Sequence, residues 1–321
     1  MKMKLSVVAL AVALGFVGPA MALEKIKVAS SNWPSLQAMS SVLKEITEQY
    51  FGASAEVVNS TLPIILASMD KGEIDILPEL WSPNHDSMIN TYVKEKQTVK
   101  LASMTFQVLS GMCTARHTQE KFGVKSIYDL SRPEIADVFK TAAGGKPKLW
   151  VGPAGWSSSK TEFIRARDYG YADLFELTTI EESLAIVDLE QAIRSDTPWI
   201  GICYTPHPTF SRKEVVMLDE PPHDASKWKV VQPDQNPNWL AMSSVTTAWA
   251  PISVNIAYAK ELETKDPKLV ALLNNMKIDP AEVAQWIDAV GTKKIAPDVF
   301  AKDWVAKNDA KILGWMAGRP Q

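Results

Sequence analysis

The order of elements at the start of this chain limits its fold more than any other feature. Residues 26–29 read as a strand, and residues 36–50 as an amphipathic helix with Met39, Val42, Leu43 and Ile46 at helical spacing. A second strand follows at residues 55–58, then a helix at 62–71 that stops at Gly72, a suitable residue just past a helix end. Residues 74–77 form a third strand. A β-α-β-α-β order predicts a parallel sheet with right-handed crossovers, and ligands of such sheets sit outside the carboxyl ends of the strands.

Further on, residues 86–96 read as a helix, and the run 101–113 is long enough to cross from one lobe to another. A second α/β region then unfolds: helix 127–139, strand 148–151, helices beginning near Thr161 and Ile180, and strand 199–203. Residues 220–238, rich in Pro, Asp and Asn, form a loop excursion, and residues 245–257 look like a return strand. Three helices near residues 267–276, 280–290 and 297–314 end the chain and are expected to pack on the first lobe. The expected architecture is α/β and two-lobed, with a ligand cleft between the lobes. Lobe 1 comprises residues 23–108 and 248–321, and lobe 2 residues 109–247.

Three aromatic residues stand among turn formers: Glu79-Leu80-Trp81-Ser82-Pro83, Gly152-Pro153-Ala154-Gly155-Trp156-Ser157-Ser158-Ser159 and Cys203-Tyr204-Thr205-Pro206. A large flat side chain on a Pro/Gly-punctuated loop is seldom there to fill a core. Three rings aimed at one spot would attract a cation that has no N–H to donate. Trp33 follows the first strand as Trp81 follows the third, so topology brings both to the same edge. Ser157 and Ser158 precede a helix, whose free N–H groups and partial positive charge make a seat for a carboxylate. Ordinary serine capping beside a packed tryptophan is the plainer alternative for that loop. An extended backbone puts Glu79 on the same side as Trp81, where its charge would favour a cation. A solvated Glu79, or one paired with a lysine, is the alternative. Tyr204 also fits a packed strand-end tyrosine, and most of the eleven tryptophans read as core.

The chain's start places it outside the cytoplasm. Lys2 and Lys4, an apolar run over residues 5–17, Gly18-Pro19 and the small-x-small Ala20-Met21-Ala22 form a Sec-type signal peptide, residues 1–22, cut after Ala22. As a membrane anchor the run is too short, since a span needs roughly 20 apolar residues. Hydrophobic content of 46% with 22% charged residues describes a globular chain. A net charge of −3 offers no basic field, which argues against nucleic acid. Cys113 and Cys203 are the only cysteines. In an oxidising compartment they are candidates for a disulfide between neighbouring strands, and a free buried pair is the alternative.

Enzymatic signatures are lacking. No G-x-S-x-G elbow or His-x-x-Glu-His pattern occurs, and the four histidines are scattered, so neither a catalytic residue, a metal nor a cofactor is implied. Gly144-Gly145-Lys146-Pro147 lacks the following Ser/Thr of a phosphate loop.

Taken together, the two-lobed exported plan and the motifs around Trp81, Trp156 and Tyr204 resemble the glycine betaine/proline betaine substrate-binding proteins of ABC transporters. The likeness runs from about Lys25 to the C-terminal helices and implies a periplasmic-binding-protein-like (type II) fold. It implies Trp81 and Trp156 as walls of a cation box, Ser157 and Ser158 as donors to a carboxylate, and Tyr204 as a third wall where many members carry tryptophan. Trp33 is a candidate fourth wall. The implied ligand is a quaternary ammonium compound, the implied partner an ABC permease in the membrane, and the expected state a monomer. Choline, carnitine, trimethylamine N-oxide and a sulfonium analogue are alternative ligands, and a non-transport sensor or an exported enzyme alternative roles.

Overall fold

A computed structural model of the chain describes residues 25–318 apart from 142–143 and 234; the signal peptide expected over residues 1–22 lies outside the described residues. Strands β1 (Ile26–Ser30), β2 (Ala55–Asn59) and β3 (Ile76–Ser82) pair in parallel in the order β2-β1-β3. The helices Pro34–Phe51 and Leu62–Met69 connect them. Both helices begin with proline in the first turn, where its missing N–H costs nothing, and the first ends on Gly52 in the left-handed conformation.

Strand β4 (Val99–Ala115) runs for 17 residues. After it come β5 (Lys148–Trp150), β6 (Glu176–Thr178), β7 (Ile200–Thr205) and β8 (Val215–Met217). A small pair, β9 (Trp228–Lys229) and β10 (Ser244–Val245), precedes β11 (Ile252–Ala259). The main sheet has nine strands in the order β2-β1-β3-β11-β4-β7-β5-β6, with β8 beside β4. It is mixed rather than parallel: β11 lies antiparallel to both β3 and β4, and β7 antiparallel to β4. The parallel reading holds inside β1–β3 and β5–β7 and fails where the chain doubles back along its own long strand.

The crossing strand expected over residues 101–113 is β4, and it changes partner between Val108, opposite Ile252 of β11, and Leu109, opposite Thr205 of β7. The return strand starts at Ile252 and not at Val245, because Ser244 and Val245 pair with β9. The expected helix 127–139 is three short turns instead, interrupted at Arg132 before Pro133, which disfavours helix in the residue preceding it. One C-terminal segment, expected as a single helix, is broken at Asn308 into Pro297–Lys307 and Asp309–Met316.

Separate cores form on the two sides of the partner exchange. One packs Val42, Leu43 and Ile46 against Val283, Trp286, Trp304 and Trp315 of the C-terminal helices, with Trp304 stacked on Trp315 at 6.1 Å. The other gathers Met112, Leu149, Val151, Ile200 and Phe175. Cys113 of β4 and Cys203 of β7 are joined as a disulfide, their Cα atoms 5.7 Å apart.

Arg165, fully buried in the helix Ser157–Asp168, ties the second core to the return segment. It pairs with Glu162 at 3.0 Å and Glu220 at 2.5 Å, and donates to the Thr247 carbonyl at 2.7 Å. Trp249 Nε1 donates to Glu162 at 2.8 Å. Removing one member of such a group leaves the others buried and unpaired. Arg165→Ala is therefore expected to lower unfolding stability in urea by about 3–5 kcal/mol; a loss under about 1 kcal/mol would contradict the role assigned to the network.

Candidate functional site

The strands deliver their aromatic residues to one cavity of about 640 Å³. Trp81 sits within β3, opposite Val254 of β11, and Tyr204 within β7, opposite Ser110 of β4. Both were expected on loops after the strands, but the ladders continue through them. Ser110 and Ile252 line the cavity beside the partner exchange, and Trp33, Trp81, Trp156 and Tyr204 surround it. Tyr204 is the middle ring: its centroid lies 5.9 Å from Trp81 and 6.2 Å from Trp156, both edge-to-face. Such geometry sets the electron-rich face of one ring against the edge of the next.

Trp156 owes its place to the turn before it. Gly152 has φ +97°, and a Cβ there would meet Ser159 Oγ at 2.7 Å and Trp156 Cε3 at 3.1 Å, so only glycine fits. The helix begins at Ser157 rather than near Thr161. Ser157 and Ser158 therefore occupy its first turn and line the cavity, with no side chain capping the N–H groups of that turn. Ser159 is not part of this set, since its hydroxyl donates back to the Pro153 carbonyl at 2.7 Å.

Glu79 is 1% exposed, so it is neither solvated nor paired with a lysine. Pro78 and Glu79 stand opposite the single residue Ile256 in a bulge between β3 and β11. One oxygen, Oε2, accepts from Trp33 Nε1 at 2.7 Å, Trp81 Nε1 at 3.1 Å and Ser35 Oγ at 3.1 Å. The other, Oε1, is buried without a partner. Burial outweighs these donors and raises the carboxyl from its ordinary 4.5 to about 7.

Three residues lay outside the expected site. Glu182, in the first turn of the helix Glu182–Ser195, accepts from the Tyr204 hydroxyl at 2.7 Å, and its own Oε2 is buried and unpartnered. Burial raises it to about 7 as well. His85 and Asn84 line the cavity just after Trp81 with Nδ1 and Oδ1 sealed from solvent and unpartnered. Burial pulls His85 down to about 4, so its ring is neutral. In sequence Asn84-His85-Asp86 read as a cap, and nothing there marked the ring's position at the cavity. At the rim, Asn32 Nδ2 donates to Glu181 at 2.9 Å, joining the loop after β1 to the start of the Glu182 helix. Among the described residues no group of His, Cys, Asp and Glu could hold a metal, and no helix is long and apolar enough to cross a membrane.

The model of one family, the substrate-binding domain of ABC-type glycine betaine transport systems, matches residues 24–307. The chain belongs to that family. Its members are solute-binding proteins and not enzymes, and the fold agrees. A choline-binding protein of an ABC transporter, solved with choline, is 17% identical over 92% of each chain with a TM-score of 0.68. Lactococcal OpuAC in its closed, glycine-betaine-bound conformation is 16% identical over 91% of this chain and 99% of its own, also at 0.68. The glycine betaine/L-proline-binding protein of Borrelia burgdorferi is 20% identical over 91% and 96%, again at 0.68. At these low identities the structural likeness shows a shared two-lobed periplasmic-binding-protein fold. No curated protein matches the sequence.

The raised Glu79 carboxyl makes a stability prediction with a definite sign. An unfolded chain ionises this group above about 4.5, whereas the folded protein holds the proton up to about 7. Its stabilising contribution is thus complete below the lower value and lost as pH rises through the upper one. Denaturant unfolding of the ligand-free protein should lose on the order of 3 kcal/mol more across that window than unfolding of Glu79→Gln. Parallel pH profiles for the two proteins would contradict the assignment.

Proposed function

We propose that this protein captures glycine betaine or a related quaternary ammonium compound in the cavity and delivers it to an ABC permease. The observation that carries the reading is the edge-to-face series Trp81–Tyr204–Trp156 beside the open first turn of the helix Ser157–Asp168. A trimethylammonium group has no N–H to donate, so discrimination falls to ring faces and shape. Trp81, Trp156 and Tyr204 wall the cation, and Trp33 closes a fourth side. The ligand's carboxylate takes hydrogen bonds from Ser157 and Ser158, which line the same cavity. Cation and anion seats on one helix start suit a zwitterion.

In this reading lobe 1 is residues 23–108 with 248–321, lobe 2 is 109–247, and closure about the connecting strands shuts water out. The leader, residues 1–22, takes a monomer to the periplasm, where the permease is its partner. A second reading, choline as the ligand, is favoured by Glu79 and Glu182: two buried carboxylates near the rings suit a cation that brings no anion of its own.

Each ring contributes on the order of 0.5–2 kcal/mol to holding the cation. Trp156→Ala is therefore expected to weaken glycine betaine or choline binding at least about tenfold in titration calorimetry. Circular dichroism should show the variant folded. An isotherm unchanged from wild type would remove the box from the reading.

A further inference from the structure

Two of the box's residues do more than present a face. The indole N–H of Trp81 donates to Glu79 and the hydroxyl of Tyr204 to Glu182, and the two rings meet edge-to-face at 5.9 Å. Trp33 donates its own N–H to the same Glu79 oxygen. Thus three of the four aromatic residues are hydrogen-bonded at their polar edge to a buried carboxylate, and each carboxylate keeps a second oxygen that no group satisfies.

We propose that Glu79 and Glu182 are the specificity-determining groups of this site, polarising the rings they bind and selecting a fixed positive charge over a neutral group of the same shape. The inference rests on the reading of the cavity as a quaternary ammonium site. An N–H or O–H that donates to an anion pushes electron density into its ring, which deepens the negative face a cation meets. The carboxylates add a direct attraction through a medium of low dielectric. Neither contribution exists for an uncharged tert-butyl group, which fills the same space.

The surroundings leave these charges uncompensated. Around Glu79 the near groups are Trp33, Ser35 and Trp81, and no cation pairs with it among the described residues. Around Glu182, the Tyr204 hydroxyl donates, and Glu79 and Glu181 oppose its ionisation while the exposed Lys294 favours it. His207 Nε2 lies 3.8 Å from Glu182, but burial holds that ring neutral, down to about 3, so it supplies no counter-charge. An arriving quaternary ammonium is therefore the missing cation for two carboxyl groups that titrate near neutrality, each raised to about 7 by burial. Binding favours their ionised form, so protons leave as the ligand enters and affinity climbs as pH rises through that value.

Glycine betaine and its carbon isostere 3,3-dimethylbutanoate test this directly, since they share the carboxylate and differ only in the charged nitrogen. The readout is the ratio of their affinities, measured by competition in wild type, Glu79→Gln and Glu182→Gln between about pH 6 and about pH 8.5. Glutamine keeps an acceptor for the Trp81 N–H or the Tyr204 hydroxyl while removing the charge, and thermal unfolding reports whether each variant is folded. The expected result is a wild-type ratio that increases with pH, and a ratio at the upper pH at least about fivefold smaller and flatter in each variant. A structural role alone would weaken both ligands together and leave the ratio unchanged, which would overturn the proposal while the quaternary ammonium reading stood. A wild-type protein that bound neither glycine betaine nor choline would overturn both.

Discussion

The two largest cores hang on the hydrogen-bond ladders of one strand. β4 is 17 residues long, on the order of 55 Å when extended, and it holds β11 along its first part and β7 along its last. The partner exchange at Val108/Leu109 brings the ends of β3 and β7 near each other, so Trp81 and Tyr204 can meet although 123 positions of chain would otherwise leave them unrelated. The cavity lies where the ladders change hands. The disulfide between β4 and β7 fastens one side of that exchange, and the Arg165 network fastens the return segment that leads into β11.

On this frame the site solves an electrostatic problem without an exposed charge. A carboxylate placed in the cavity would compete with the rings for space and would be hydrated. Glu79 and Glu182 are instead set behind the aromatic layer, each fixed by donors from the rings themselves. Burial makes these carboxyls costly to ionise, and a cation bound in the proposed site would offset that cost. In the proposed site such an arrangement would couple ligand, proton and aromatic wall in one set of hydrogen bonds.

Trp81, Trp156 and Tyr204 stood out in the sequence because Pro, Gly and Ser surround them, although Tyr204 also fitted a packed strand-end tyrosine and is in fact buried in the main core. The β-α-β-α-β start was legible for the same kind of reason: periodicity there persists over whole elements. β6 and β8, at three residues each, are too short to carry a period, and the antiparallel course of β11 depends on a partner far away in the chain. Glu182 was invisible because an acidic residue in a helix's first turn is ordinary. Only tertiary burial beneath Tyr204 gives it meaning. His85 was hidden by a neighbouring Asn and Asp that made the stretch look like a turn. Glu79 could be placed on the side of Trp81 from alternation, but its burial, and its sharing of one oxygen between two indoles, follow from a bulge that no pattern announced.

A crystal structure of the protein with glycine betaine tests the aromatic site most directly. The expected complex has the ligand nitrogen within about 6 Å of the ring centroids of Trp81, Trp156 and Tyr204, with the carboxylate against the first turn at Ser157 and Ser158. A ligand bound away from these rings, or one whose methylated nitrogen faces solvent, would contradict the cation site built here.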